Sequence, residues 1–240
     1  MESRAAKATA DVQPSGLVLS IKYDIIFGRL RPRERLIEDE LALRFGVSRH
    51  LIRAAIVELE QLGIVVRRPN KGAMVRDYTV REIDEMYEMR AQLQADAARR
   101  MPLPVAPELL DEFRAIHRAY CEAGDRGDLQ EACANNSLFH RRIWANCGNA
   151  YLAYLVERVW TETLGIRCYG IADPKLLSQA RSEHAEMIEM MASGDREGFV
   201  RVSVDHIWPA LNAYKRAHGS WDIPQNEALA EGFSKDDAFI

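Results

Sequence analysis

The chain has 240 residues, of which 48% are hydrophobic and 28% charged, and a net charge of −4. This length suits two domains, and the composition excludes a disordered or fibrous chain. Because no apolar run approaches the length of a membrane span and the N-terminus lacks the apolar core of a secretory signal, we expect a cytoplasmic protein. The four cysteines form no CxxC pair, which predicts reduced thiols and argues against a zinc ribbon.

The charge is distributed unevenly along the chain. Residues 1–76 carry 14 basic and 9 acidic side chains, whereas residues 77–240 carry 18 basic and 27 acidic ones. An asymmetry of this kind indicates that the N-terminal third contacts a polyanion and that the rest of the chain does not.

The N-terminal third predicts a winged helix-turn-helix domain over residues 16–76, preceded by a flexible arm over residues 1–15. A first helix is predicted from Leu17 and ends near Gly28. A second, short helix ends at Gly46. The predicted apolar positions of this second helix are Leu36, Leu41, Leu43 and Phe45.

A turn and a third helix are predicted in the segment GVSRHLIRAAIVELEQLG. Ser48 is expected to cap this helix, and Gly63 to end it. Its buried stripe is predicted to contain Leu51, Ile52, Ala55, Ile56, Leu59 and Leu62. The following segment, IVVRRPNKGAMVR, predicts a β-hairpin with Pro-Asn-Lys-Gly at its tip, which would form the wing.

The third helix has the features of a recognition helix, which presents the side chains of its first turns to the major groove. Arg49 and Arg53 lie one turn apart on one face, so both can reach phosphates or the acceptor atoms of guanine. A glycine beside a lysine lets the wing approach the minor groove. The predicted DNA-binding residues are Ser48, Arg49, His50, Arg53, Lys71 and Gly72. Alternatively, the two arginines are solvated surface side chains.

Residues 25–76 closely resemble the DNA-binding domain of the GntR family of regulators, most specifically in the phrases GRLRPRERL, ELALRFGVSR, LEQLG and PNKGAMV. The resemblance implies a homodimer that reads a short palindrome. The DNA-contact positions of the family are held here by Arg49, Arg53 and Gly72. Two residues depart from the pattern: Asp39 stands where many members have a basic residue that contacts phosphate, and Ala54 replaces a common glutamate.

After a linker at residues 77–79, the pattern is helical and predicts an all-α antiparallel bundle of six to seven helices over residues 80–217, which makes the fold mainly α. The predicted helices span roughly 79–101, 107–123, 128–147, 149–170, 174–193 and 195–217. Prolines and glycines mark the breaks; Asp173 and Pro174, for example, supply a cap and a proline at the first helical position. Residues 218–240 are polar and predict a loosely ordered tail.

Three histidines and one amide are predicted to converge inside this bundle. Asn136 and His140 lie four residues apart and therefore project from one face of a helix, while the other two histidines belong to two further helices. Imidazole nitrogens with an oxygen donor suit zinc, nickel, iron or manganese. The candidate metal ligands are Asn136, His140, His184 and His206. Alternatively, each histidine is a hydrogen-bonded core residue.

The helical region also resembles a known domain, the ligand-sensing FCD domain of the FadR-like branch of the same family. The resembling phrases are YEMRAQLQADAARR, NNSLFHRRIW and EHAEMIEMMASGDREGFVRVSVDHI. Many members hold a metal at the four positions named above; the neutral Asn136 binds a cation less strongly than a carboxylate would. The resemblance implies a small organic acid as effector, which meets the metal and Arg90. Alternatively, Arg90 forms a structural ion pair.

These features together predict a ligand-responsive transcriptional regulator that represses a catabolic or transport operon and leaves its operator when the acid binds. The change would pass through the linker at residues 77–79, and only differential affinity for two arrangements can drive it. One rival is a metalloenzyme that uses the histidine cluster; the absence of an HExxH pair and of a nearby general-base carboxylate argues against it. A second rival, a protein-interaction module, is disfavoured by the basic tip.

Overall fold

A computed structural model describes residues 14–68 and 71–218 of the chain. The predicted arm before Pro14, the wing residues Pro69 and Asn70 and the predicted tail from residue 219 lie outside the described residues. Among the described residues, the N-terminal region consists of three helices and a two-stranded antiparallel hairpin. These elements are α1 (Pro14–Ile26), α2 (Glu38–Phe45), α3 (Arg49–Gln61), β1 (Val65–Arg68) and β2 (Gly72–Val75).

The turn between α2 and α3 forms for the reasons that the sequence suggests. Gly46 has a φ of 66°, a left-handed conformation that glycine adopts without strain, and it ends α2. The Ser48 hydroxyl accepts a hydrogen bond from the Leu51 amide (3.3 Å) and caps α3. The buried face of α3 consists of Ile52, Ala55, Ile56 and Leu59.

The core of this region lies where the three helices meet the base of the hairpin. The strands pair from Val65 with Val75 to Arg68 with Gly72. Both valines at the base are buried against α1 and α3. The hairpin is therefore attached to the helices at its base, and the order of elements is the predicted winged helix-turn-helix.

Two apolar positions assigned to the second helix are wrong. Leu36 is buried, but it precedes α2; its amide donates a hydrogen bond to the Ala73 carbonyl (2.9 Å) beside β2. Leu43 is 86% exposed, whereas Leu41 is 4% exposed. A helix of two turns buries only the side that faces its neighbour, and the side of α2 that carries Leu43 faces solvent.

The C-terminal region is entirely helical in the part of the chain that the structure describes, and none of its helices is long and apolar enough to cross a membrane. Thr79 and Glu82 form a capping box that begins its first helix. The helices are α4 (Val80–Arg100), α5 (Pro107–Asp125), α6 (Leu129–Ala145), α7 (Ala150–Glu162), α8 (Leu164–Ala172), α9 (Pro174–Ser193), α10 (Arg196–Asp205) and α11 (Trp208–His218).

Two of the six predicted helices are divided, so the region from Val80 to His218 has eight helical segments. The predicted helix 149–170 breaks at Thr163, whose hydroxyl donates to the carbonyls of Val159 and Trp160. The predicted helix 195–217 breaks between α10 and α11, where Pro209 has no amide hydrogen to continue the α10 ladder. Apolar residues continue at helical spacing across both breaks, so periodicity alone does not reveal them.

The short helix α8 connects the two regions of the protein. Its residues Leu164, Cys168 and Ile171 share a buried cluster with Tyr23 of α1. On another side α8 approaches α11 closely: a Cβ at Gly170 would lie 2.8 Å from the Ala210 Cβ. A displacement of α8 therefore changes the packing of α1, the first helix of the winged region.

A pair of leucines in α2 tests this assignment of the core. We expect Leu41→Ala to lower the free energy of unfolding by about 2–5 kcal/mol, because it leaves a cavity in the winged-helix core. The matched control Leu43→Ala removes an exposed side chain and is expected to change it by less than about 0.5 kcal/mol. Chemical denaturation measures both values, and equal losses would show that the orientation of α2 is wrong.

Candidate functional site

The predicted recognition residues lie together at the start of α3. Ser48 caps the helix, and the side chains of Arg49, His50 and Arg53 are exposed in its first two turns. Their neighbours Ile52 and Ala55 face the core on the opposite side. The packing of α3 therefore directs the basic residues to solvent, where a duplex can reach them.

Acidic residues at the start of α2 pair with both arginines, which the sequence analysis did not anticipate. Arg53 donates to both oxygens of Glu38 (2.7 and 3.0 Å), and this hydrogen-bonded contact lowers the pKa of Glu38. Arg49 forms an ion pair with Asp39. Pairs as exposed as these contribute little to stability, and a DNA phosphate can displace the carboxylates. The pairs hold the two guanidinium groups in place at the surface of α3.

The wing contributes Lys71 and Gly72, which are both exposed where β2 begins. The Lys71 amide donates to the Arg68 carbonyl (3.1 Å) and closes the turn. Gly72 has a φ of 71°, and no atom lies within 4 Å of the position that its Cβ would take. Glycine is therefore favoured here by backbone conformation, and the open space leaves room for a close partner.

The three predicted histidines meet in the interior of the helical region. The Nε2 atom of His140 lies 3.1 Å from that of His184 and 3.2 Å from that of His206. These residues come from α6, from α9 and from the break between α10 and α11. His140 and His184 are 1% and 0% exposed. The three residues each offer a ring nitrogen, and these nitrogens all lie within 4.8 Å of one another, so the expected convergence of the three histidines occurs.

Burial favours the neutral form of two of these rings, those of His140 and His184. It lowers the pKa of His140 well below its usual value, and the neighbouring histidines lower it further. Burial also lowers the pKa of His184 in the same way. A neutral imidazole offers a lone pair, which is the form that binds a metal.

The separations of the nitrogen atoms fit a divalent metal. Two imidazoles that bind one ion at 2.0–2.1 Å hold their nitrogens about 3.4 Å apart in a tetrahedron and about 3.0 Å apart in an octahedron. The observed 3.1 and 3.2 Å lie within this interval. Asn136, one turn before His140 on α6, is buried and lines the cavity beside the rings.

A carboxylate supports the cluster from outside. Glu183 Oε2 lies 2.5 Å from His206 Nδ1, so the carboxylate accepts a hydrogen bond from that nitrogen and orients the ring. The other oxygen of Glu183 accepts a hydrogen bond from Gln179 (2.8 Å). The expectation that no carboxylate lies beside the cluster is therefore wrong. The neighbouring pair Glu183-His184 was visible in the sequence, but the contact is made with His206 of another helix.

The predicted effector residue Arg90 is buried in α4, at the wall of the same cavity. Its Nε donates to the Gln94 amide oxygen (2.6 Å), and its guanidinium carbon lies 4.7 Å from the centre of the Trp160 ring. No acidic side chain of the described residues pairs with it. The alternative of a structural ion pair is therefore wrong for Arg90.

Comparisons with known proteins agree with this architecture. Residues 85–208 match the family model "FCD domain", and residues 15–75 match "Bacterial regulatory proteins, gntR family". The HTH-type transcriptional regulator McbR of Escherichia coli K12 is 23% identical over 74% of this chain and 81% of its own. A "Probable D-xylose utilization operon transcriptional repressor" of Paenarthrobacter nicotinovorans is 25% identical over 92% of this chain and 97% of its own.

A solved structure has the same fold. It is described as a putative transcriptional regulator GntR from Rhodococcus sp. RHA1, and its TM-score is 0.66 at 19% identity. The match covers 87% of this chain and 99% of that one. The winged region and the helical region therefore occur together in known proteins, in this order along the chain.

Proposed function

The chain belongs to the GntR family of bacterial transcriptional regulators and contains an FCD domain, and we propose that it is a repressor that releases its operator when a small organic acid binds. It is a transcriptional regulator and not an enzyme. The observation that carries the proposal is the cavity lined by His206 of the histidine cluster and by Arg90, which has no acidic partner among the described residues. The relative named as a repressor of a sugar-utilization operon supports repression of a catabolic or transport operon.

In the proposed complex, α3 of each protomer of a homodimer lies in the major groove of a palindromic half-site. Arg49 and Arg53 exchange their carboxylate partners for phosphate or guanine, and Lys71 and Gly72 bring the wing to the neighbouring groove. In this complex, Ser48 and His50 contact the sugar–phosphate backbone of the DNA beside α3. This role assigns residues 16–76 to DNA binding, residues 77–79 to the linker and residues 80–217 to sensing. A regulator that binds chromosomal DNA acts in the cytoplasm, and we propose this location for the protein.

The sensing site would hold one divalent metal, with zinc, nickel, iron and manganese as the candidates. Its proposed ligands are Asn136, His140, His184 and His206. When bound, the metal supplies a Lewis-acidic position for an acid group of the effector. Arg90, which has no acidic partner among the described residues, would hold the carboxylate of the effector from the opposite wall.

We further propose that the signal reaches the DNA-binding region through α8 as well as through the linker. The effector cavity is lined by residues of α8, and the neighbouring residues of that helix pack against Tyr23 of α1. The Tyr23 hydroxyl also donates to the Gln130 carbonyl (3.1 Å) of α6. A ligand that shifts α6 or α8 by a fraction of an ångström therefore acts directly on α1.

Loss of one arginine tests the DNA interface. We expect Arg49→Ala to weaken binding to a duplex selected by the wild-type protein by about 10- to 100-fold, while binding to random duplex changes little, because a base contact is lost. Arg81→Ala is the control, since Arg81 is an exposed arginine that pairs with Glu85 in α4.

Fluorescence anisotropy at several salt concentrations measures both affinities. Unchanged selectivity in Arg49→Ala would contradict the assigned interface. Affinity that does not fall with salt for any duplex would favour the protein-interaction module instead.

Three substitutions test the metal site. His184→Ala removes a ligand, and we expect it to reduce the metal that remains after dialysis. Glu183→Gln keeps the shape but weakens the support of His206, so affinity should fall by about 10- to 100-fold. Asn136→Asp adds a charged oxygen and should raise affinity.

Glu186→Gln, an exposed change on the same helix, is the matched control for Glu183→Gln. Elemental analysis and competition with a chelator provide the measurements. Equal metal content in the wild type and His184→Ala would refute the site.

Substitution of Tyr23 tests whether the contact between α1 and α8 couples acid binding to release of the operator. We expect Tyr23→Ala to bind the operator and the acid but to lose most of the acid-induced release, because the side chain that joins the two regions is removed. Tyr23→Phe keeps the ring packed against α8 and loses only the hydrogen bond to Gln130, so it should retain most of the release. Operator binding with and without the acid that most raises the melting temperature is the measurement. Full release in Tyr23→Ala would show that the signal takes another route.

A further inference from the structure

A second buried arginine lines the effector cavity and belongs to no predicted site. Arg167 of α8 is 6% exposed, and its guanidinium carbon lies 3.5 Å from the centre of the Trp160 ring. Arg90 lies over the same ring at 4.7 Å. Both arginines and Trp160 therefore line one cavity, and the ring centre of His140 is 4.8 Å from that of Trp160.

Neither arginine has a counter-ion among the described residues. Arg167 donates to the Trp160 carbonyl (3.1 Å), and Arg90 donates to the amide oxygen of Gln94 and contacts Tyr87, so these partners are neutral. The one carboxylate that lines the cavity, Glu183, is bonded through both oxygens to other partners. Isolated buried charges of this kind are strongly unfavourable unless an anion completes them.

Both groups are guanidinium cations in spite of their burial. Burial and the nearby Arg90 lower the pKa of Arg167 to about 9, which still leaves it protonated at pH 7, and burial lowers the pKa of Arg90. Arginine side chains stay protonated in proteins. The cavity wall therefore carries two positive charges before any metal is counted.

Apart from the Tyr120 hydroxyl, the unpaired hydrogen-bonding groups of the wall are all N–H donors. Four buried N–H groups lack an acceptor within the described residues, on Arg90 Nη1, Arg167 Nε, Arg167 Nη1 and Trp160 Nε1. A carboxylate group offers only acceptors, and one carboxylate carries a single negative charge against the two positive charges of the guanidinium groups. The cavity has a volume of about 40 Å³, room for only a few water-sized groups, so the ligand must be short.

We propose that the effector is a short dicarboxylate, with one carboxylate bound at Arg90 and the second at Arg167. This inference rests on the proposed acid-sensing function and names the chemical class of the acid. Arg167 is then the residue that distinguishes a diacid from a monoacid. Arg167 lies on α8, and α8 also packs against α1 of the DNA-binding region. Binding of the second carboxylate therefore acts on the helix that makes this contact.

Isosteric ligand pairs test the proposal on the wild-type protein. Oxalate, malonate and succinate are titrated by calorimetry against oxamate, malonamate and succinamate, which have the same shape and one charge less. The titrations use zinc-loaded and metal-free protein. We expect the best diacid to bind about 10- to 100-fold more tightly than its monoamide. Equal affinities, or tighter binding of the monoamide, would overturn the proposal.

Variants of Arg167 assign the difference to this residue. We expect Arg167→Gln to remove the preference for the diacid while the affinity for the monoamide stays the same, and Arg167→Lys to restore part of the preference. Arg158→Gln, an exposed arginine of α7, is the matched control. If Arg167 only stabilised the fold, both ligands would weaken together. If Arg167→Gln does not fold, the proposal is tested by the diacid preference of Arg167→Lys and by the diacid and monoamide affinities of the wild-type protein.

The results also separate this proposal from the function on which it rests. Equal binding of diacid and monoamide would leave acid sensing intact and overturn only the second carboxylate site. If none of the six compounds bound in either form of the protein, sensing of short acids would fail, and the diacid inference would fail with it.

Discussion

The helical region buries positive charge without burying an equal amount of negative charge, and the rest of the molecule is built around this imbalance. Two guanidinium groups lie over Trp160, and three histidines face each other beside it. A core of this composition is less stable than an apolar one of the same volume. Its persistence makes sense if the missing charge arrives with a ligand, whose binding then stabilises one arrangement of the helices.

The position of α8 explains how such a ligand can control DNA binding. One side of this helix lines the cavity, and another packs against α1 through Cys168 and its neighbours. Its separation from α7 at Thr163 lets it adopt its own direction, so it can move without bending a long helix. The linker at residues 77–79 joins the two regions covalently, but the direct contact with Tyr23 gives a shorter route between the site and the winged helix.

Features with a local cause were readable from the sequence, and features with a tertiary cause were not. The cap at Asp173 and the order of elements in the winged region follow from residues close together in the chain. The break at Thr163 was missed because the apolar period continues across it. Glu183 and Arg167 were missed because a single charged residue predicts a solvated surface; their burial and partners come from other helices. The histidine cluster was predicted because Asn136 and His140 share one helix face and because the resemblance to the FCD domain implies His184 and His206 as their partners.

Control of the protein–operator complex by a small acid is the central claim. The most direct test is a titration of a short dicarboxylate into the zinc-loaded wild-type protein on its selected duplex, followed by fluorescence anisotropy. We predict that the apparent affinity for the duplex falls at least about fivefold at concentrations that saturate the protein, as expected for two coupled sites. Unchanged or tighter operator binding at saturation would contradict release by the ligand.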